Sequence, residues 1–364
     1  MKRQDRIRAV PTPLLAWYRR HRRDLPWRRT RDPYAIWVSE IMLQQTQVAT
    51  VMPYFERFIA AFPDVRALAE APLGQVLKQW EGLGYYSRAR NLHRAAKRIT
   101  REHGGRLPAT AEALRALPGI GPYTAGALAS IAFGLDEPVL DGNVARVLCR
   151  VFRIRANPRA APTQGKLWRL ARRLIPKGQA GLLNQALMDL GATVCLPRGP
   201  RCAVCPLAAL CLARAHGEQA ALPVKARSRP VPHYDVAAGV IRRGRHILID
   251  RRPPEGLLGG LWEFPGGKRK AGETLEACLR REVREEVGIE VRIERPFMTV
   301  RHASTHFRIT LHVFACRHVR GRTRALGCAE VRWVTLDALD DYAFPAANRR
   351  IIEALRRSSG VGEV

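Results

Sequence analysis

Acidic residues are scarce in this chain. Asp and Glu number 32 against 62 Lys and Arg, a formal net charge of +30 over 364 residues. A surface that basic excludes an anionic or neutral one and suits a polyanionic partner, nucleic acid first among them. Part of the excess is diffuse, because arginine recurs even in linker-like stretches. Long apolar runs are missing too, so no membrane span is expected. Met1-Lys2-Arg3-Gln4-Asp5 has no apolar core behind its charges, so no secretory signal is expected. No internal repeat or low-complexity tract is present. The expected setting is the cytoplasm, associated with the nucleoid. There Cys149, Cys278, Cys316 and Cys328, scattered in apolar surroundings, read as reduced core residues.

The other four cysteines are not scattered. Cys195, Cys202, Cys205 and Cys211 follow the spacing C-x6-C-x2-C-x5-C. Four thiolates this close can wrap one inorganic centre, and sulfur softness admits zinc or an iron–sulfur cluster. Structural zinc sites usually carry two short pairs. Only one pair here is short, and the longer arms favour a larger object, a [4Fe–4S] cluster. Two disulfides are the alternative, disfavoured by the intracellular character of the rest.

Apolar residues recur at three- and four-residue intervals in Ile36–Phe58, Leu73–Trp80, Leu92–Ile99, Ala111–Leu117, Ala125–Phe133 and Leu182–Leu190. Residues 1–217 are therefore expected to form an all-α domain that includes the cysteine loop 195–211. Leu222-Pro223, Arg229-Pro230 and Val231-Pro232 mark residues 218–233 as a linker. Beyond it the period changes. Val236–Ile241, Ile247–Ile249, Val291–Ile293, Ile309–Phe314 and Val331–Val334 read as strands, with helices at Thr274–Val287 and Asn348–Arg356. Residues 234–358 are expected to form an α/β domain, and 359–364 a tail.

Three local features carry chemistry. Leu117-Pro118-Gly119-Ile120-Gly121-Pro122-Tyr123 lies between helical segments, and its glycines permit a tight hairpin whose free amides can hold a phosphate. Glu40 lies between Trp37-Val38 and Ile41-Met42-Leu43, surroundings that raise a carboxyl pKa and keep a proton available. Its plain alternative is a surface glutamate on an amphipathic helix. Asp141 opens Asp141-Gly142-Asn143 ahead of a helix, a good helix cap whatever else it does.

Hairpin, trailing Asp141 and cysteine loop together resemble the helix-hairpin-helix DNA glycosylases of the endonuclease III superfamily. Ser39-Glu40-Ile41-Met42-Leu43-Gln44-Gln45-Thr46-Gln47-Val48 narrows the likeness to the adenine DNA glycosylase (MutY) family. So do Gly82 to Leu92 and Asn184 to Gly191, and the likeness runs from about Leu25 to Cys211. It implies an enzyme that flips out adenine mispaired with 8-oxoguanine or guanine in double-stranded DNA and hydrolyses its N-glycosyl bond. Glu40 would protonate adenine at N7. Asp141 would stabilise the sugar cation, with Asn143 orienting it. Bifunctional relatives carry a lysine where this chain has Tyr123, which cannot form an imine, so a monofunctional enzyme is expected. By the same likeness Trp27, Arg28 and Gln185 would line the adenine pocket. Gln45, Thr46, Leu83, Tyr85, Gly119, Gly121, Arg198 and Arg201 would touch DNA. A monomer is expected.

The second half contains a complete Nudix box, G-x5-E-x7-R-E-U-x-E-E-x-G-U, from Gly267 through Glu273 and Arg281 to Ile289. Glu282, Glu285 and Glu286 fall on one helical face and suit Mg²⁺ on a pyrophosphate. The domain resembles the 8-oxo-dGTP pyrophosphatase MutT, which would put Asn348 on a nucleotide base. Hydrolysis of 8-oxo-dGTP, as an additional or main activity, is the alternative expectation. In the adenine glycosylase family this domain reads 8-oxoguanine, and the reading element corresponds here to Ser304, Thr305 and His306.

Overall fold

The structure, a computed structural model, describes residues 2–224, 231–303 and 307–359. The chain segregates into two compact units. One comprises Met1–Glu70 with Arg94–Ser228, the other Ala71–His93 with Arg229–Val364.

The first unit is helical: α1 (Arg3–Ala9), α2 (Pro11–His21), α3 (Pro33–Met42), α4 (Val48–Ala61) and α5 (Val65–Glu70) come before residue 71. α6 (Leu73–Gln79) belongs to the other unit, and α7 (Ser87–His103) leads back. Then come α8 (Ala111–Arg115), α9 (Pro122–Ile131), α10 (Gly142–Val151), α11 (Ala161–Leu174), α12 (Ala180–Thr193) and α13 (Leu212–Ala215).

Local chemistry sets the ends of the site helices. Asp32 caps α3, accepting from the Tyr34 and Ala35 amides at 3.1 and 3.2 Å, and Pro33 opens the helix. Every residue from Tyr34 to Met42 is buried. The periodic stretch 36–58 folds as two helices rather than one, because Gln45 adopts a left-handed conformation (φ 59°) between them. In the expected hairpin, Gly119 has φ 79° while Leu117 and Ile120 turn inward. Gly121 ends the turn and Pro122 starts α9, which is buried almost throughout. Leu140, Val144, Val147 and Leu148 pack with Leu183, Ala186, Leu187 and Leu190, so α10 and α12 share one core.

The second unit holds a seven-stranded sheet: β1 (His233–Arg243), β2 (His246–Arg251), β3 (Trp262–Glu263), β4 (Gly266–Lys268), β5 (Glu290–Ala303), β6 (Arg308–Arg320) and β7 (Glu330–Val334). The order is β3-β2-β1-β6-β5, with β4 also on β1 and β7 also on β2. Among the described residues only β1 and β6 run parallel. Alternation along β1 divides the core. Ala237 and Ile241 face Leu279 and Val283 of α14 (Leu275–Val287), while Ala238 and Val240 join Ile351 and Ile352 of α15 (Ala346–Ser359). β5 runs well past the expected 291–293, and its pairing with β6 shifts register at Ile293/Arg295 and Pro296/Met298, where proline is tolerated. Residues 71–93 fold with this unit through polar links. Glu81 accepts from the Phe344 amide (2.8 Å), and Lys78 donates to the Tyr342 carbonyl (3.0 Å).

Gly191 tests the α10–α12 packing. A Cβ there would stand 2.6 Å from Asn143 Cβ. Gly191→Ala is expected to cost about 1–3 kcal/mol by overpacking, read from urea unfolding of the full chain.

Candidate active site

Five helices, α3, α4, α9, α10 and α12, converge on one cavity of about 450 Å³ in the first unit. Trp27, Arg28, Glu40, Thr46, Tyr123, Asp141, Asn143 and Gln185 all line it. The sequence motifs had singled out all eight, from segments scattered over 160 residues of chain.

Glu40 comes from α3 and is 5 % exposed. Tyr123 Oη, from α9, donates to its Oε2 at 2.8 Å, and the same hydroxyl lies 3.2 Å from Met188 Sδ of α12. Burial pushes the Glu40 carboxyl up to about 7. The Tyr123 hydrogen bond pulls it down, nearby Asp141 pushes it further up, and Arg28 pulls it down. Tyr123 itself is driven well above the usual phenol range by burial and by Glu40, so it stays a neutral donor.

Asp141 caps α10. Its Oδ1 accepts from the Val144 amide at 2.7 Å and its Oδ2 from Asn143 Nδ2 at 2.9 Å. Burial raises its pKa, and those two donors offset part of the rise by favouring the carboxylate. The array continues. Arg146 donates to Asn143 Oδ1 (2.8 Å), to the Gly191 carbonyl (2.8 Å) and to the Cys195 carbonyl (2.8 Å).

Arg28 is held by a residue that sequence reasoning missed. Asp189 of α12, fully buried, takes a two-pronged contact from Arg28 (2.6 and 2.9 Å) and two more bonds from the Arg23 guanidinium (2.8 and 2.5 Å). Burial alone would raise Asp189, but the two guanidinium groups outweigh it and leave the pKa low. The signal available was the one acid on a helix whose neighbours Leu187, Met188 and Leu190 are apolar. Gln185 accepts from Tyr18 Oη at 3.2 Å and donates to the Gly181 carbonyl at 3.0 Å. Trp27 is buried edge-on against Phe55.

Other expected site residues lie off this cavity. Gln45 and Gly119 occupy the left-handed turns already described, and Gly121 caps α9. Leu83 is buried in the second unit, so it offers no free surface, while Tyr85 (φ 49°) is half-buried there. Ser304, Thr305 and His306 lie outside the described residues.

Cys195, Cys202, Cys205 and Cys211 line a second, small cavity with Val147, Leu190 and Leu207. Burial first, and the neighbouring cysteines after it, push Cys205 up to about 11. The Gln219 carboxamide also lines this cavity, and its oxygen is buried without a hydrogen-bond partner. Among the described residues no three His, Cys, Asp or Glu side chains are grouped to hold a single metal ion.

The Nudix carboxylates are paired within the domain. Arg281 takes up Glu273 (2.7 Å), Glu282 (2.7 Å) and Glu285 (3.1 Å). Glu286 turns to the Gly266 amide at 3.1 Å, and burial, with Glu263 next, pushes it up to about 7. One internal arginine thus bridges three acids of the box, and Glu286 stands apart from it. Asn348 is buried with its Oδ1 accepting from the Phe264 amide at 3.2 Å, so that oxygen serves the fold.

Residues 38–173 match the HhH-GPD superfamily of base excision DNA repair proteins, and residues 236–354 match the NUDIX domain. A thermostable thymine-DNA glycosylase superposes with a TM-score of 0.54 at 31% identity, covering 58% of this chain and 98% of that one. A trapped endonuclease III–DNA covalent intermediate shares the fold, with a TM-score of 0.52 at 22% identity over 60% of this chain and 99% of that one. The fold is thus that of a helix-hairpin-helix base-excision glycosylase extended by a Nudix domain. Over 402 residues the chain is 38% identical to the adenine DNA glycosylase of Homo sapiens, across 95% of this chain and 73% of the human protein. The chain belongs to the adenine DNA glycosylase family, so it is an enzyme and DNA is its partner. Among the described residues no helix is long and apolar enough to cross a membrane.

The raised Glu40 pKa has a stability consequence. Its neutral form is the one the fold accepts, so its contribution is whole below its ordinary 4.5 and is lost as pH rises through about 7. Relative to wild type, Glu40→Gln should gain about 3 kcal/mol between about pH 4 and about pH 8.5, by urea unfolding. A difference that does not change with pH contradicts a neutral Glu40.

Proposed function

We propose that this enzyme removes adenine mispaired with 8-oxoguanine or guanine, with Glu40 as general acid. The observation that carries the reading is a buried Glu40 that keeps its proton near neutral pH, in one cavity with the carboxylate of Asp141. Adenine enters the cavity extruded from the duplex. Glu40 gives its proton to the base at N7. The C1′–N9 bond then breaks, and its electron pair leaves with adenine. The deoxyribose is left as a cation, which the Asp141 carboxylate faces while Asn143 and the Val144 amide hold its oxygens. Water adds at C1′, and its proton returns to a carboxylate. Tyr123, a neutral donor with no amine, offers no route to a Schiff base. The Arg28–Asp189 fork fixes a cation at the cavity wall, suited to holding the base or the flanking backbone.

The four cysteines suit a [4Fe–4S] cluster. Four soft donors frame one small apolar cavity, as the ligand set of a cluster requires. Bound there, the cluster supplies cross-linking of the loop that carries Arg198 and Arg201, both exposed and suited to DNA phosphates. The helical unit then carries base removal, and the strand-rich unit, to which residues 71–93 also belong, reads the lesion base through 304–306.

Single-turnover release of adenine from an A·8-oxoG duplex should fall about tenfold per pH unit above about 7, following the loss of one proton from Glu40. Glu40→Gln should lower that rate by about 10²–10⁴. A rate that is flat to pH 9 in wild type, or intact in the variant, contradicts Glu40 as the acid. Borohydride should trap no covalent complex with DNA, and strands should stay intact without alkali.

A further inference from the structure

Arg150, near the end of α10, is 1 % exposed, among the most deeply buried large side chains. A guanidinium keeps its charge at any working pH, and a buried charge needs a counter-charge. Arg150 has none among the carboxylates of the described residues. Its nitrogens donate to three carbonyls, Leu196 (2.7 Å), Leu222 (2.8 Å) and Pro197 (3.3 Å), and to Cys195 Sγ (3.2 Å). Carbonyl dipoles satisfy its donors but do not balance its charge. The same guanidinium lines the four-cysteine cavity. The two other cations on that wall, Arg201 and Arg214, are exposed, where solvent screens them. Arg146 reaches Cys195 only through its carbonyl.

We propose that Arg150 is the buried charge partner of the metal–sulfur group in this cavity. The inference rests on the cluster reading above. Four thiolates outweigh the positive charge of a [4Fe–4S] core, so the assembly is an anion, and a dry cation at one thiolate is the charge the cavity otherwise lacks. A hydrogen bond to sulfur and a nearby positive charge both favour the more reduced, more negative state. Arg150 therefore holds the reduction potential up and keeps the Cys195 thiolate seated. It acts through the ligand and is a positioning residue, outside the lining of the Glu40 cavity.

The test uses the full chain purified without oxygen, as wild type, Arg150→Gln and Arg150→Lys. Iron per chain, reduction potential by protein-film voltammetry, and bleaching of the visible absorbance by an iron chelator are measured. Arg150→Gln should have a more negative potential and lose iron about tenfold faster. Arg150→Lys, which keeps the charge but loses the fork, should hold a potential near wild type while losing iron at an intermediate rate. An unmoved potential in Arg150→Gln overturns the proposal and leaves Arg150 as a tie between carbonyls. If Arg150→Gln does not fold, Arg150→Lys decides: a potential that drops with the charge retained overturns it equally. Wild type without iron would instead defeat the cluster reading.

Discussion

Burying Glu40 is the constraint on which the rest of the site depends. α3 carries this one acid among eight buried neighbours, and the fold accommodates it by keeping it neutral rather than by pairing it with a cation. The same helix that builds the core therefore holds a proton donor near neutral pH. Tyr123 keeps the carboxyl in one rotamer through a neutral hydroxyl, and Met188 seals the far side of that hydroxyl. Asp141, close enough to push Glu40 upward, is treated differently. A backbone amide and Asn143 solvate its oxygens, which favours charge. Burial raises both carboxyl groups, but only Asp141 has a backbone amide and a carboxamide that offset part of the rise, which suits Glu40 to the acid role and Asp141 to the carboxylate role.

Cationic groups are sorted by a similar logic. Asp189 pairs with both Arg28 and Arg23 and leaves one positive charge at that wall. Arg146 ties Asn143 to the carbonyl of Cys195, so the cap of α10 and the start of the cysteine loop share one hydrogen-bonded array. Gly191 lets α12 approach closely enough for that array to form. In the second unit the acids of the Nudix box meet an internal arginine instead. Arg281 satisfies three of them, which makes the box a self-contained ion-pair cluster.

Much of this was legible in the sequence, for identifiable reasons. The α14 helix was expected over 274–287, and the structure caps it with Thr274 and ends it on left-handed Gly288. Residues with strong local signals, such as the Gly119–Gly121 turn and the Asp141 cap, sit where those signals put them. The break at 43–47 was not legible, because apolar spacing continues across it and only the backbone at Gln45 reveals the turn. Asp189 was missed because its meaning depends on Arg23 and Arg28, which only the fold brings to it. Folding of residues 71–93 with the strand-rich unit likewise rests on contacts such as Glu81 with Phe344, remote in sequence. Helical spacing places Glu282, Glu285 and Glu286 on one face but is silent about Arg281, which pairs with the first two.

The most direct test of the central claim is the ionisation of Glu40 itself. Carboxyl-¹³C glutamate labelling, with the Glu40→Gln spectrum subtracted, isolates its resonance in a pH titration. A midpoint near 7 is the result predicted for a carboxyl held neutral by burial in α3. A midpoint near the ordinary 4.5 would contradict it, and with it the assignment of Glu40 as the proton donor.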